Sequence, residues 1–547
     1  MTTMPSTPAA ETETQRLAAL DHAHLWHPFT AMKQWREQTP MIIDRAEGFE
    51  LINTDGHRYI DGVSSLWCNV HGHRDPDLDR ALREQLDKVA HTTMLGLSNP
   101  PAIEFAAMLA DYAPGGPMSS FHVEDNRRLM KTFYSDAGAT ALEVAFKMAV
   151  GYWHHNGRPE KTKFVGLAGA YHGDTAGAMS VGYSELFHRP FFSMVFPVTW
   201  FASPDPVRPP EGVDDYLESQ GLSLCQRCHA RGKGDGHGLC GLPTWPSECP
   251  SFGEALREAC LKNLDHILSE QGHETAAVVV EPLMQGAAGM VCQPEGFLAG
   301  VRALCDKHDV LLVADEVAVG FGRTGRLFAC EHEKVVPDLL CLAKGISGGY
   351  LPLAATMVTD AVDAAFTGEL SDRRTLFHGH TYTGNPLACA VAIESLKKFR
   401  RPVAKRSEDA RSGELGVWSQ GQGTGEALDA ERFSPDLLTH IRASASLIKN
   451  KLEPLRESRR VADIRQRGIM VGIEVCEDRA APEGPKPFDF AALTARRLTN
   501  AMREHGVIVR NLGDVVILMP IPATPHDTLD KLCDAVVRTI LEWPIEA

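Results

Sequence analysis

Two side chains that could carry chemistry each follow a short apolar run of the sequence. Asp315 comes directly after Val310 to Ala314, and Lys344 comes just after Leu339 to Leu342, 29 residues beyond Asp315. A carboxylate at the end of a buried strand is costly unless a cation or hydrogen-bond donors compensate its charge. A lysine flanked by small residues, as Lys344 is, has room around its amine to form a Schiff base with an aldehyde.

Each of these two residues also has an ordinary interpretation. Asp315 could cap a helix or form an ion pair on a loop, and Lys344 could be a surface lysine. Alternatively, Asp315 could face the pyridine nitrogen of pyridoxal phosphate (PLP) and keep it protonated, so that the ring acts as an electron sink. The occurrence of both residues at this spacing favours the PLP interpretation.

Three further segments could complete a cofactor site. The small residues of Ser135 to Thr140 precede a helical pattern, and backbone N–H groups at such a helix start can bind a phosphate. The segment Ala170 to Asp174 offers the Tyr171 ring for stacking, and His378 to Pro386 offers the Thr381 hydroxyl. A capped helix and two ordinary turns are the alternatives.

Alternating segments must position these residues. The helical patterns Thr140 to Trp153 and Gly296 to Lys307 alternate with short β-rich runs, which favours an α/β domain with a mainly parallel sheet. Strands are predicted at Lys131 to Tyr134, Lys163 to Leu167, Ala276 to Val280, Val310 to Ala314 and Leu339 to Leu342. A smaller α+β domain is predicted around Ile469 to Val475, Val507 to Arg510 and Val515 to Met519.

Composition narrows the class of protein. The chain has 547 residues, of which 44% are hydrophobic and 23% charged, as expected for a globular protein. Its formal net charge of -16 argues against binding to nucleic acid or to anionic membranes. The sequence starts without a signal-peptide pattern and has no apolar run of roughly 20 residues, the length that would span a bilayer. Its 13 cysteines fit reduced thiols, so we expect a cytoplasmic protein.

Two segments interrupt the alternation of strands and helices. Residues 401–432 are polar and rich in Gly and Ser, and residues 203–252 are rich in Pro, Gly and Cys. Both are predicted to be inserts. In the second, Cys225, Cys228, Cys240 and Cys249 could form a structural zinc site or remain unligated thiols, and we assign no metal ligand. Haem attachment at the Cys-x-x-Cys-His pattern is improbable without an export signal.

The segment from Leu311 to Gly349, LLVADEVAVGFGRTGRLFACEHEKVVPDLLCLAKGISGG, resembles the class III PLP-dependent aminotransferases. The resemblance implies the fold type I architecture of PLP-dependent transferases, with a large domain and a smaller one. It divides the chain into a flexible lead (1–20), an N-terminal segment that joins the small domain (21–75), a large PLP-binding domain (76–385) and a C-terminal small domain (386–547). Glu316 belongs to the family signature, and we expect it to have a structural role in the turn through Gly320 to Gly325.

The same resemblance implies roles for individual residues. The catalytic residues would be Lys344, which binds the cofactor and moves a proton, Asp315 at the pyridine nitrogen and Tyr171 against the ring. The phosphate would be bound by Gly138 and Ala139, and by His380 and Thr381 from the neighbouring subunit of a homodimer. The substrate pocket would be lined by Phe29, Leu66, Trp67, Tyr171, Lys344, Gly379 and Arg510, with Arg510 binding a carboxylate.

The N-terminal segments HLWHPFT and SSLWCNVHGH resemble the branch of the class that acts in biotin synthesis. That branch transfers an amino group from S-adenosylmethionine, or in some enzymes from lysine, to 8-amino-7-oxononanoate. Ala139, Phe29 and Leu66 depart from its pattern, where serine, tyrosine and tryptophan stand. Another class III aminotransferase of ω-amino acids or diamines is the alternative, and the presence of Lys344 with Asp315 speaks against a catalytically silent binding protein.

Overall fold

The computed structural model describes residues 12–124, 127–213, 216, 250–399, 402–404, 433–481, 485–489 and 492–543. Its strands are β1 (Ile43–Glu47), β2 (Glu50–Asn53), β3 (Arg58–Asp61), β4 (Leu129–Ser135), β5 (Lys163–Leu167), β6 (Thr199–Phe201), β7 (Thr275–Val280), β8 (Met284–Gln285), β9 (Val291–Cys292), β10 (Leu311–Asp315), β11 (Leu339–Leu342), β12 (Ala354–Thr359), β13 (Pro402–Ala404), β14 (Phe433–Asp436), β15 (Val461–Arg467), β16 (Met470–Val475), β17 (Val507–Ile508), β18 (Arg510–Leu512) and β19 (Val515–Leu518).

The α-helices are α1 (Glu13–His24), α2 (Met32–Arg36), α3 (Pro76–Leu86), α4 (Pro100–Tyr112), α5 (Gly138–His155), α6 (Ala176–Val181), α7 (Glu185–His188), α8 (Pro250–Gln271), α9 (Phe297–Lys307), α10 (Asp360–Phe366), α11 (Pro386–Lys398), α12 (Leu437–Leu452), α13 (Thr494–Ala501) and α14 (His526–Glu542). Short 3₁₀ helices lie at Arg189–Met194, Ala329–His332, Lys344–Ser347, Leu370–Asp372, Glu453–Glu457 and Met502–His505. Among the described residues, no helix combines the length and apolarity needed to cross a membrane.

A seven-stranded sheet forms the centre of the molecule, in the order β4-β12-β11-β10-β7-β5-β6. Only β12 runs against its neighbours, and the other strands share one direction. The prediction of an α/β domain with a mainly parallel sheet is therefore confirmed. Strands with both faces covered by helices are buried on both sides, which explains why β7 and β10 are continuously apolar runs.

The two faces of this sheet bury different hydrophobic cores. Along β10, Leu311 and Val313 pack with the buried face of α5, whereas Leu312 and Ala314 pack on the opposite side with residues of α8 and α9. This alternation follows from the two-residue period of a strand. The sheet therefore holds its strand ends rigidly between two layers of helices.

Two smaller four-stranded sheets adjoin the centre. One has the order β1-β2-β3-β17 and the other β15-β16-β19-β18. In the first, β17 pairs in parallel with β3, so that Val507 lies opposite Ile60. The N-terminal strands thus share a sheet with a strand from the end of the chain, while the domain boundaries themselves remain a prediction.

Residues 13–20, the later part of the predicted flexible lead (1–20), belong to a helix. Helix α1 begins at Glu13, where Thr12 and Gln15 form a capping box. The Thr14 hydroxyl also donates to Asp55 at 2.7 Å, which attaches the helix to the first small sheet. Most of the two predicted inserts lies outside the described residues, as do Cys225, Cys228, Cys240 and Cys249.

Arg323 joins three separate parts of the chain. Its guanidinium, 1% exposed, donates to the Ser64 hydroxyl at 2.9 Å, to the Pro520 carbonyl at 2.8 Å and to the Asn69 carbonyl at 2.9 Å. A planar group with several fixed donors suits this task better than a lysine. The turn that follows β10 is thereby fastened to both the N-terminal and the C-terminal segments.

We predict that Arg323→Ala lowers the free energy of unfolding by about 3–5 kcal/mol, because it leaves buried acceptors without donors. Denaturant unfolding followed by circular dichroism measures the loss. Arg45→Ala is the matched control, since Arg45 forms only an exposed pair with Asp44 and should cost less than about 1 kcal/mol. Equal stability of both variants would contradict the proposed role of Arg323.

Candidate active site

Four functional side chains project from one edge of the central sheet. His172, Glu281, Asp315 and Lys344 come after or at the ends of β5, β7, β10 and β11, which all point the same way. In the register of the parallel pair, Asp315 lies opposite Cys341, so the first residues beyond both strands emerge side by side. Open α/β sheets bind their ligands at this carboxyl edge.

A cavity of about 720 Å³ opens at this edge and is within the size range of ligand sites. Its lining includes the predicted residues Trp67, Gly138, Ala139, Tyr171, Asp315 and Lys344. The structure therefore brings together six residues that the sequence had assigned to one site. His172, Asp174, Glu281 and Val317 also line it.

The amine of Lys344 lies beside an aromatic ring in this cavity. It is 4.9 Å from the centre of the Trp67 ring, and Lys344 has a left-handed backbone with φ of 48°. Burial lowers the pKa of Lys344, while the negative charges of Asp315 and Glu281 oppose this effect. A neutral amine is the form that attacks a carbonyl or accepts a proton.

The Asp315 carboxylate, 4% exposed, is held from two directions. One oxygen lies 2.6 Å from His172 Nδ1, and the other accepts the Val317 N–H at 2.9 Å. Burial opposes the charged form of His172, yet the hydrogen bond to Asp315 and its charge raise the pKa of His172 overall. These two hydrogen bonds fix the orientation of a buried carboxylate, which could face a cationic ring nitrogen.

Helix α5 starts at the wall of the same cavity. Its N-cap residue, Ala137, provides no side-chain acceptor, which leaves the first N–H groups available to an anion. A side chain in place of Gly138 would approach Val317 within 2.7 Å, so only glycine permits this close packing. The helix start, Asp315 and Lys344 together fit the phosphate, the ring nitrogen and the aldehyde of PLP.

The turn that carries Trp67 has an unusual backbone. Four successive non-glycine residues, Ser64 to Trp67, have φ values between 42° and 71°, a region that such residues rarely adopt. Asp61 stabilises the turn, because its Oδ2 accepts the Ser65 N–H at 2.7 Å and the Ser65 hydroxyl at 2.8 Å. The Trp67 ring packs against Gly286 and forms one wall of the cavity.

The remaining predicted residues do not line the cavity of this chain. Leu66 and Phe29 are 46% and 66% exposed, and Phe29 packs edge-on against Phe187 with ring centres 5.8 Å apart. Gly379 and Thr381 are exposed, and His380 Nδ1 is 2.8 Å from Asp136 Oδ2, beside the start of α5. Arg510 lies near Tyr171, and burial lowers its pKa while Tyr171 opposes that shift.

Sequence reasoning overlooked several residues of the cavity wall, among them His172, Val317 and Glu281. His172 adjoins Tyr171 in the segment Ala170 to Asp174, Val317 follows Asp315 closely, and Glu281 directly follows β7. The position of Glu281 just after a predicted strand was the available signal. Its two oxygens accept the N–H groups of Tyr171 at 3.2 Å and Gly286 at 2.9 Å, and burial raises its pKa to about 7.

Glu316 has a structural role, although at a different turn from the one expected. Its side chain is fully buried and accepts the N–H groups of Ala329 at 2.6 Å and Cys330 at 2.8 Å, where a 3₁₀ helix starts. Its carbonyl also accepts the Gly320 N–H at 3.0 Å. Burial raises the pKa of Glu316 from 4.5 to about 7.

The geometry of this site agrees with comparisons with known proteins. The family model for aminotransferase class III matches residues 31–412 and 427–540, and the chain belongs to this family. The adenosylmethionine-8-amino-7-oxononanoate aminotransferase of Nitratidesulfovibrio vulgaris is 44% identical to it, over 98% of this chain and 83% of that protein. The crystal structure of the aminotransferase of the same name from Methanocaldococcus jannaschii is 33% identical, with a TM-score of 0.75 over 96% of this chain and 99% of its own.

The family also establishes the cofactor. An amine transaminase from an uncultivated Pseudomonas species, solved in its PLP-bound form, is 27% identical, with a TM-score of 0.76 over 95% of this chain and 99% of its own. Class III aminotransferases depend on PLP, and this chain is a PLP-dependent aminotransferase of fold type I. The predictions of family, fold and cofactor are thus confirmed, while the roles of individual residues remain predictions.

We predict that Lys344→Ala yields a folded protein in which borohydride no longer fixes the cofactor covalently. Transamination should fall by on the order of 10²–10⁴-fold, because the group that moves the proton is missing. Mass spectrometry after reduction measures the covalent adduct. Lys334→Ala is the control, since Lys334 is an exposed lysine in the preceding segment. A reducible adduct in Lys344→Ala would show that another lysine binds PLP.

We predict that Glu316→Gln changes the pH dependence of stability. A carboxyl whose pKa is raised on folding stabilises the protein below pH 4.5, and this contribution is lost as the pH rises through about 7. Glutamine remains neutral at every pH. Between pH 4.5 and about 7, the free energy of unfolding of wild type should therefore fall by up to about 3 kcal/mol relative to that of the variant. Urea unfolding at several pH values measures this difference. If the free energies of unfolding of wild type and variant changed in parallel with pH, the raised pKa of Glu316 would be refuted.

Proposed function

We propose that the protein transfers an amino group from S-adenosylmethionine to 8-amino-7-oxononanoate and produces 7,8-diaminononanoate in biotin synthesis. The observation that carries this proposal is the near full-length similarity to aminotransferases of that name, joined to a cavity that contains Lys344, Asp315 and Tyr171 together. The amino-terminal segments that resemble the biotin branch also support it, since Trp67 forms a wall of the cavity.

Lys344 is proposed to carry out the proton transfers. When bound, PLP supplies an electron-poor ring that takes up the electrons released as the carbon beside the amino group loses its proton. The lowered pKa of Lys344 favours its neutral amine, which can accept this proton and return it at a neighbouring carbon. The Trp67 ring, 4.9 Å away, keeps water from surrounding the amine.

Asp315 and the start of α5 are proposed to hold the cofactor. The carboxylate of Asp315 would face the ring nitrogen, and its hydrogen bond to His172 at 2.6 Å fixes its orientation. Gly138 and Ala139 would donate backbone N–H groups to the phosphate. Ala139 has no hydroxyl, so the helix start provides backbone donors only at this position.

Substrate binding is proposed to involve Tyr171 and Arg510. The Tyr171 hydroxyl donates a hydrogen bond to the Asp174 carboxylate at 2.8 Å. Burial is the main cause that raises the pKa of Tyr171, and the Asp174 carboxylate adds to it, so Tyr171 stays a neutral phenol. A planar guanidinium such as that of Arg510 binds a carboxylate through two parallel hydrogen bonds. Arg510 would therefore hold the carboxylate of the oxononanoate, and Phe29, Leu66 and Gly379 are proposed to contact the substrates.

We infer a homodimer whose subunits share the site, with His380 and Thr381 of one subunit near the phosphate of the other. The segments around residues 91–99 and 377–384 lie side by side. Asn99 donates to the Gly384 carbonyl at 3.0 Å, and the rings of His91 and Tyr382 are 4.7 Å apart. These segments expose several apolar side chains: Leu95 (90%), Leu97 (60%), Phe377 (77%) and Tyr382 (58%). Such a surface is typical of an interface.

The nine described cysteines are all free, in keeping with the proposed cytoplasmic location.

A second candidate is an aminotransferase of ω-amino acids or diamines. It is favoured by the similar TM-score to the amine transaminase of the uncultivated Pseudomonas species and by the departures at Phe29 and Leu66, which alter the predicted pocket. Lysine as the donor of the biotin step is a further variant of the first proposal.

A donor screen distinguishes these functions. We expect 7,8-diaminononanoate to form from 8-amino-7-oxononanoate with S-adenosylmethionine, at least tenfold faster than with lysine, alanine or glutamate. Mass spectrometry of the diamine provides the measurement, and Lys344→Ala is the inactive control. Faster turnover with lysine would show that lysine is the amino donor. Turnover of diamines with pyruvate, without turnover of the oxononanoate, would favour the second candidate.

A further inference from the structure

Glu281 is a buried carboxyl group of the cavity to which the proposed function gives no task. It is 4% exposed and lines the cavity together with Asp315 and Lys344. Its backbone is held in place by Gln293, whose side chain donates to the Glu281 carbonyl at 2.6 Å and accepts the Leu283 N–H at 2.8 Å. The burial of a carboxyl group is unfavourable, so both of its oxygens must find hydrogen-bond donors at this position.

The two oxygens of Glu281 connect two walls of the cavity. Oε2 accepts the Tyr171 N–H at 3.2 Å, and Oε1 accepts the Gly286 N–H at 2.9 Å. The Trp67 ring lies so close to Gly286 that an added Cβ would be 3.3 Å from it. One side chain therefore fixes both the backbone that carries the Tyr171 ring and the backbone that supports the Trp67 ring.

Glu281 also takes part in the electrostatics of the site. Burial is the main cause that raises its pKa to about 7, and His172 opposes this effect while Asp315 adds to it. The negative charges of Asp315 and Glu281 in turn raise the pKa of Lys344, against the larger effect of burial. The charge of Glu281 thus changes near neutral pH and acts on Lys344. Two further titratable groups act on this lysine: Cys68 and Arg323.

We propose that Glu281 is a positioning residue of the transamination, which holds the Tyr171 and Trp67 walls at a fixed separation and supplies a second negative charge to Lys344. An ionised Glu281 favours the protonated state of the Lys344 nitrogen, and a neutral side chain favours the unprotonated one. Glu281 acts through these neighbours. The inference rests on the proposed role of Lys344 in the proton transfers.

The absorbance of the PLP-loaded enzyme at several pH values tests the electrostatic role apart from turnover. The spectrum of the bound cofactor changes when the Lys344 nitrogen loses its proton, so the midpoint of the change reports this proton. Glu281→Gln should lower the midpoint by roughly one pH unit, as the loss of one nearby opposite charge would. Glu281→Asp keeps the charge and should titrate close to wild type. An unchanged midpoint in Glu281→Gln would overturn the electrostatic role.

Turnover tests the connection between the walls. Glutamine has a single acceptor oxygen, so it can bind only one of the two N–H groups. Aspartate is one methylene group shorter and cannot reach both. Each variant should therefore lower kcat by roughly 10–100-fold, because the walls move relative to Lys344. Wild-type kcat in Glu281→Asp would overturn the positioning role, even if Glu281→Gln failed to fold.

Glu333→Gln is the matched control. Glu333 also accepts two backbone N–H groups, those of Gly296 at 2.9 Å and Ala299 at 2.8 Å, but it does so at the start of α9 and outside the cavity lining. Thermal unfolding should show a similar loss of stability in Glu281→Gln and Glu333→Gln, whereas the control should keep the midpoint and the kcat of wild type. An equal change of both quantities in the control would show that general destabilisation is the cause, and would overturn the inference.

These measurements separate the inference from the proposed function. The spectral titration needs no substrate, so a lowered midpoint in Glu281→Gln together with no turnover of the oxononanoate would refute the proposed function alone. A reducible adduct in Lys344→Ala would refute the role of Lys344 and, with it, the electrostatic part of the inference.

Discussion

The arrangement of the site depends on a buried carboxylate that must be compensated. Asp315 is almost completely removed from water at the end of β10, where an isolated charge would be very unfavourable. His172 binds one of its oxygens and the Val317 N–H binds the other, so the plane of the carboxylate is fixed before any ligand arrives. A cationic ring nitrogen in front of it would complete the compensation. The proposed position of the cofactor ring relative to Lys344 would follow from this single requirement.

The central sheet makes such an arrangement possible because its strands share one direction. Asp315 ends β10, and His172, Glu281 and Lys344 follow the carboxyl ends of β5, β7 and β11. These strands are neighbours, so the four residues meet at one edge of the sheet. The strands themselves are held between two hydrophobic cores, one on each face. Close packing of this kind allows little displacement, and the polar groups at the edge therefore keep their spacing.

The sequence allowed the central sheet and the core of the site to be predicted, but not their surroundings. Apolar runs identified β5, β7, β10 and β11 within one or two residues, because strands covered on both faces leave a clear pattern. Asp315 and Lys344 were recognisable at the ends of two such runs. His172 was not recognised, since its importance arises from a contact with Asp315 across 143 positions of the chain, and no local pattern encodes such a contact. Glu316 was expected to act within the following turn, whereas its acceptor oxygens lie at a 3₁₀ helix further along.

The left-handed turn at Ser64 to Trp67 links the order of synthesis to the completion of the site. Asp61 can stabilise this turn as soon as the first strands form, but Ser64 also donates to the Met519 carbonyl and receives a hydrogen bond from Arg323. These two partners are translated much later, and Met519 directly follows β19. During synthesis, Lys344 and helix α5 are therefore made before Met519, which completes the hydrogen bonds of the turn that carries Trp67. The turn beside Lys344 is therefore complete only when the C-terminal segment has packed against the N-terminal one.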